Sequence, residues 1–185
     1  AEDATGVLNR AAKAMGADTV KTLKYTGGGM AGLFGQAYLA GQAWPKVNVS
    51  AYSRELDYDN VFINESQTIA RAEPKGGGAV PLAGPASPVR VANATAAWNM
   101  AGTNAFPSMA GRAARLHDLW TTPHGVLKAA AKNPSNLEFR TVSGKSMPAV
   151  TFTVPGVTTA TAFFNDAFMV ERVESRLPDQ VMGDV

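Results

Sequence analysis

The chain has 185 residues, 45% apolar and only 17% charged, with a formal net charge of +2 and no cysteine. That length supports one good core or two small ones. The charge is too small to point to nucleic acid or an anionic membrane, no apolar run is long enough to span a bilayer, and the missing thiols exclude disulfides, cysteine nucleophiles and cysteine-held zinc.

The chain opens Ala1-Glu2-Asp3 without methionine. A mature protein begins this way after signal-peptide cleavage, so a periplasmic or secreted bacterial location is expected. Asp3 or Thr5 can cap a first helix that runs to about Met15, with Val7, Leu8, Ala11, Ala12 and Met15 on one face and Gly16 as its stop. Thr19 to Thr26 is strand-like, and Gly27-Gly28-Gly29 is expected to break it. Residues from Met30 to Tyr38 can continue as a bulged strand. After Trp44-Pro45, Lys46 to Tyr58 and Phe62 to Ala72 read as a hairpin of long strands turning at Asp59-Asn60.

Residues 74–88 are rich in Gly and Pro and read as a long surface loop, followed by one strand from Val89 to Met100. Met109 to Trp120 is helical. Thr122 then caps a second helix with Pro123 in its first turn, and this helix stops near Asn133-Pro134. Leu137 to Val142 is a strand turning at Ser143-Gly144-Lys145. Met147 to Leu177 is a three-stranded meander with turns at Pro155-Gly156 and Asn165-Asp166. Segregated helices and runs of strands define an α+β domain over residues 1–185. Its expected form is a curved antiparallel sheet packed by an N-terminal helix and a central helix pair. The C-terminal segment from Val181 reads as frayed, or as continuing into, or pairing with, a catalytic domain or another chain.

No catalytic constellation is legible. His117 and His124 are the only histidines, and they lack the further ligands that zinc needs. Glu55, Asp57 and Asp59 alternate along a strand and read as solvated charges rather than a glycosidase pair. Gly27 to Gly35 lacks the Gly-Lys-Ser/Thr ending of a phosphate loop and reads as a bulged or flexible strand. Ser108, Ser143 and Ser146 lack the Gly-x-Ser-x-Gly elbow. Most of the aromatic residues, Phe34, Tyr38 and Trp120 among them, are core candidates, although such residues on a concave sheet could also line an apolar ligand site.

Several strings together resemble a known family. They are Ala11 to Gly16, Trp44-Pro45, Ser53 to Tyr58, Gly76-Gly77-Gly78, Ala97-Trp98-Asn99, and Asn165-Asp166 through Glu174. The strongest is Leu119 to Leu127, Leu-Trp-Thr-Thr-Pro-His-Gly-Val-Leu. Their order is similar to the N-terminal region of exported bacterial metallo-β-lactamase-fold hydrolases, over nearly the whole chain. The family's zinc ligands lie in an H-x-H-x-D-H motif of a second domain that this sequence lacks. The resemblance therefore implies no cofactor and no catalytic or metal residue in this chain, with zinc expected in the catalytic domain. It implies an accessory domain that packs on a catalytic metallo-hydrolase domain or chain, or forms a homo-oligomer. Trp120, Pro123 and His124, at the break between two helices, are the expected interface. At fold level the chain also resembles periplasmic lipoprotein carriers, which makes an apolar small molecule the alternative partner.

Overall fold

The computed structural model describes residues 3–33, 37, 39–72, 84–133, 135–179 and 183–184. Phe34, Tyr38, Pro134, most of the 74–88 segment and residues 180–182 and 185 lie outside these.

Helix α1, Ala4–Met15, forms as its sequence dictates. The Asp3 carboxylate accepts the Gly6 N–H at 2.8 Å, Gly16 ends the helix at φ 64°, and Ala4, Val7, Leu8 and Ala11 are buried. A six-stranded antiparallel sheet follows in sequence order: β1 (Thr22–Gly32), β2 (Lys46–Asp57), β3 (Phe62–Arg71), β4 (Val89–Ala92), β5 (Ala97–Ala101) and β6 (Asn104–Pro107). Helices α2 (Gly111–Trp120) and α3 (Pro123–Lys132) come next. A four-stranded antiparallel sheet closes the fold, ordered β10-β9-β8-β7 from β7 (Ser135–Val142), β8 (Lys145–Val154), β9 (Thr158–Phe164) and β10 (Val170–Arg176). Residues 178–179 (β11) and 183–184 (β12) pair as a short ribbon.

The α+β class and the antiparallel pairing are as expected. The one curved sheet is not: besides the short ribbon there are two sheets, of six and four strands, and no sheet is strongly curled. The physical reason is the α2–α3 pair. It separates the strand runs, and β6 and β7 do not pair. Helix α2 packs on β3, β4 and β5, whereas α3 packs on β8 and on α1. One continuous core joins the layers. Tyr58, Leu116, Leu119, Val126, Val150, Phe152 and Phe164 are each at most 1% exposed.

Three local expectations are corrected. The glycine run does not end β1. The strand continues to Gly32 because β2 carries the irregularity instead: Ser50 is an extra residue between Val49 and Ala51, so the register slips opposite Gly28. A Cβ on Gly28 would lie 3.0 Å from the Val49 carbonyl oxygen, so the bulge itself calls for glycine there. Residues 89–100 are two strands rather than one. Asn93 reverses the chain by accepting the Thr95 and Ala96 N–H groups at 3.0 and 2.8 Å. Within the expected surface loop, Ala86 pairs through its backbone with Ile69 of β3.

Candidate functional site

Two cross-strand rows on one face of the six-stranded sheet have opposite chemistry. Directly paired residues share a face. Leu23, Leu56, Ile63, Ala92 and Ala97 form an apolar row beneath the helices. Two residues further along each strand, Tyr25, Arg54, Glu65, Arg90 and Asn99 form a polar row. Helix α2 crosses it and supplies Asp118 and Arg115.

Glu65 is the hub. Its Oε2 accepts the Tyr52 hydroxyl at 2.8 Å and the Arg54 Nε–H at 3.0 Å, and Arg54 Nη2 donates to the same oxygen. Arg90 Nη1 stands 3.6 Å from Oε1. Arg54 also reaches Asp118 Oδ2 at 3.0 Å, which ties the sheet to α2. The side chains of Arg54 and Glu65 are 17% and 13% exposed. Burial disfavours the Arg54 charge, but the bond to Glu65 and the Asp118 carboxylate outweigh it, so its guanidinium is held more firmly protonated than usual. Arg115 donates to the carbonyls of Val91 and Trp98 at 2.9 and 2.7 Å and to Asn99 Oδ1 at 2.6 Å. Burial, with Arg90 nearby, holds it below the ordinary arginine value.

Two phenols are pushed up. Burial raises Tyr52, and its bond to Glu65 adds to this; burial raises Tyr58, which hydrogen-bonds Thr122 Oγ1 at 2.9 Å. A raised folded-state value means that the folded chain keeps a proton the unfolded chain releases. These contributions are therefore complete below about pH 10, the ordinary tyrosine value, and decline as pH rises through the folded values. The expected result is a urea midpoint that falls between pH 9 and pH 11. Tyr52→Phe should flatten that fall and remove a late-titrating component of the phenolate absorbance at 295 nm.

Helix α2 also joins the second sheet. His117 Nε2 is hydrogen-bonded to Ser175 Oγ of β10 at 2.8 Å, and His117 Nδ1 lies 3.6 Å from Asp118 Oδ1. Ser, His and Asp thus stand in sequence, but not as a working triad. The buried Nδ1 makes no hydrogen bond, so the carboxylate does not orient the ring, and the other Asp118 oxygen is held by Arg54. Ser175 sits within β10 opposite Ala160, not on an exposed turn. The arrangement is a polar strut between α2 and β10.

The predicted interface residues divide by exposure. Trp120 is buried at 6% against Tyr58, with ring centroids 6.4 Å apart, so it belongs to the core. Pro123 is exposed at the start of α3. His124 is half-buried, and its Nε2–H donates to the Met15 carbonyl at 3.1 Å, closing the end of α1. Both histidines are thus committed to structural bonds in different places. They do not fit a zinc site, and no group of three or more His, Asp or Glu side chains among the described residues could hold a metal. Glu55 pairs with Lys24 at 2.5 Å, and Asp57 accepts from the Asp59 and Asn60 N–H groups to hold the β2–β3 turn. Neither is arranged for acid–base work.

Beyond the reach of α2, β1–β3 run on. A hydroxyl-lined groove of about 470 Å³ lies there, with Thr26, Ser53, Ser66 and Thr68 in its wall. Every residue of β1 except Leu23 is exposed, and its outer edge has no partner strand among the described residues. Compared with known protein families, curated proteins and solved structures, the chain matches none. No helix among the described residues is long and apolar enough to cross a membrane.

Sequence reasoning missed the Glu65 hub. The signal was present in the hairpin: once Asp59-Asn60 is the turn, Leu56 faces Ile63 and, two residues on, Arg54 faces Glu65.

Proposed function

We propose that the chain is the non-catalytic N-terminal domain or subunit of an exported metallo-β-lactamase-fold hydrolase. It packs on the zinc-bearing catalytic domain and shapes access to it. The observation that supports this reading is the open first edge of the six-stranded sheet. An 11-residue strand without proline, at the end of the strand order and with no partner on its outer side among the described residues, is a template for a partner strand. The strings from Ala11 to Glu174 that resemble the family point the same way. The ionisable groups of the polar row are engaged with one another, which fits a packing role.

The carrier alternative would need an apolar chamber between helices and sheets. That space is filled by Tyr58, Trp120, Phe152 and Phe164. The deciding experiment is native mass spectrometry of material from the source organism, with zinc analysis and amide hydrogen exchange on the same sample. A zinc-bearing polypeptide travelling with the chain, together with protection of the Thr22–Gly32 amides, is the expected result. A lone, metal-free chain carrying an apolar adduct would replace this reading with the carrier.

A further inference from the structure

We infer that the corner where α2 meets β4, β5 and β6 docks an acidic, partly apolar segment of a protein partner, with Arg90 and Arg115 receiving its carboxylates beside Phe106. This corner lies towards the other end of the sheet from β1. Four strand steps separate β1 from β5, about 19 Å. Docking there is independent of what covers the open β1 edge.

Charge is unbalanced at the corner. Four guanidiniums, those of Arg54, Arg90, Arg112 and Arg115, gather where α2 crosses β3, β4 and β5. Glu65 and Asp118 are the carboxylates within ion-pair distance of them among the described residues. The surplus of two positive charges equals the formal net charge of the whole chain. Arg54 bonds both carboxylates. Arg90 keeps only its 3.6 Å approach to Glu65 Oε1, and Arg112 and Arg115 donate to the neutral oxygens of Ala94, Val91, Trp98 and Asn99. Burial, and then the Arg90 charge, disfavour the charged form of Arg115, and an incoming carboxylate offsets both.

The two guanidiniums are placed to receive. Arg115 is pinned by bonds at 2.9, 2.7 and 2.6 Å, so its plane is set before a partner arrives. The Arg90 side chain is 51% exposed, and its guanidinium makes no hydrogen bond to a described residue. Arg90 pairs with Asn99, and Arg115 bonds Asn99 Oδ1, so both flank one amide. Planar forks of this kind match the two oxygens of a carboxylate.

Apolar surface adjoins the forks. Asn99 also pairs with Phe106, so Arg90, Asn99 and Phe106 stand in one row on one face. Phe106 is 52% exposed. Met109, 94% exposed, follows Ser108, whose hydroxyl lies 3.4 Å from Arg115 Nη2. Arginine, phenylalanine and methionine are side chains that protein interfaces enrich. Inorganic phosphate has nothing to place against Phe106 and Met109. A nucleic-acid strand needs cations along its path, whereas a surplus of two serves one or two carboxylates. An acidic protein segment uses both halves of the corner.

The test titrates the whole isotope-labelled chain with the peptide acetyl-Gly-Glu-Phe-Asp-Leu-Glu-Gly-amide, followed by nuclear magnetic resonance. Its Gln and Asn counterpart, inorganic phosphate and single-stranded oligothymidylate are the comparisons. The acidic peptide is expected to shift the Arg90 and Arg115 Nε–H signals and the Asn99 side-chain amide, less so as salt is raised. Arg90→Gln and Phe106→Ser should each weaken binding roughly fivefold. Both side chains are exposed, so an unchanged urea midpoint certifies the fold of each variant. Absence of the shifts, equal shifts with the neutral peptide, or equal binding by Arg90→Gln overturns the inference. So does tighter binding of the oligothymidylate, which makes the corner a nucleic-acid contact, or phosphate binding as tight as the peptide's, which leaves an anion site without an apolar half.

Discussion

Glu65→Ala is expected to lower the unfolding free energy by about 3–5 kcal/mol, a large share of the total for a domain of this size. The cost arises from what the carboxylate leaves behind. Arg54, whose side chain is only 17% exposed, loses the acceptor of its Nε–H and of one Nη2 bond, and the half-buried Tyr52 loses the partner of its hydroxyl. Asp118 remains for Arg54, but at 43% exposed it is a weaker, more solvated partner. The double variant Arg54→Met, Glu65→Leu should recover much of the loss, since it removes both desolvated charges and extends the apolar row of Leu56 and Ile63. Urea denaturation checks this through the midpoint at constant slope. A single-variant loss below about 1 kcal/mol would mean that water already screens the hub as it does a surface pair.

Much of the fold was legible because its signals are local. Asp3 and Gly16 bound α1, and Thr122-Pro123 opens α3 with the Thr122 hydroxyl accepting the Gly125 N–H at 3.1 Å. Asp57 and Asn165 bonds hold the β2–β3 and β9–β10 turns. What failed depended on another strand. Gly27-Gly28-Gly29 read alone is a breaker. Read against the Ser50 bulge, it is the place where backbone approaches backbone. The division into two sheets was not legible, because each meander looks the same whether or not β6 pairs with β7. The strut from Arg54 to Asp118 spans 64 residues, and that from His117 to Ser175 spans 58. No spacing rule reaches that far. Trp120 sits at a helix break, which in sequence suggests an interface. The break turns inward, however, so the indole meets Tyr58 rather than solvent.

Gly125→Ala is the second large effect, and it separates a glycine required by packing from glycines that are merely permitted. Gly125 lies in the first turn of α3, where the chain doubles back from α2 through Thr121 and Thr122. A Cβ there would stand 2.2 Å from the Leu119 carbonyl oxygen, 2.6 Å from Thr122 Oγ1 and 3.1 Å from Trp120 Cα. Two of these three are backbone, so no rotamer change relieves the overlap and the helices must move apart. Thr122 is fixed in turn: its hydroxyl donates to the Leu119 carbonyl at 2.9 Å while contacting Tyr58. Displacing α3 also disturbs Val126, Ala129 and Ala130, which are buried in the core. The expected loss is about 3 kcal/mol, the upper end for overpacking, and a melting temperature lower by roughly 6–12 °C for a chain of this length. Gly29→Ala is the control. Its added methyl meets nothing within 4 Å, its φ is not left-handed, and it lies in an exposed strand. There the lost freedom of the unfolded chain should dominate, leaving stability unchanged or raised by about 0.5 kcal/mol. Equal melting temperatures for the two variants would show that the α2–α3 corner yields more readily than its contacts indicate, and that its glycine is a matter of chain freedom rather than of space.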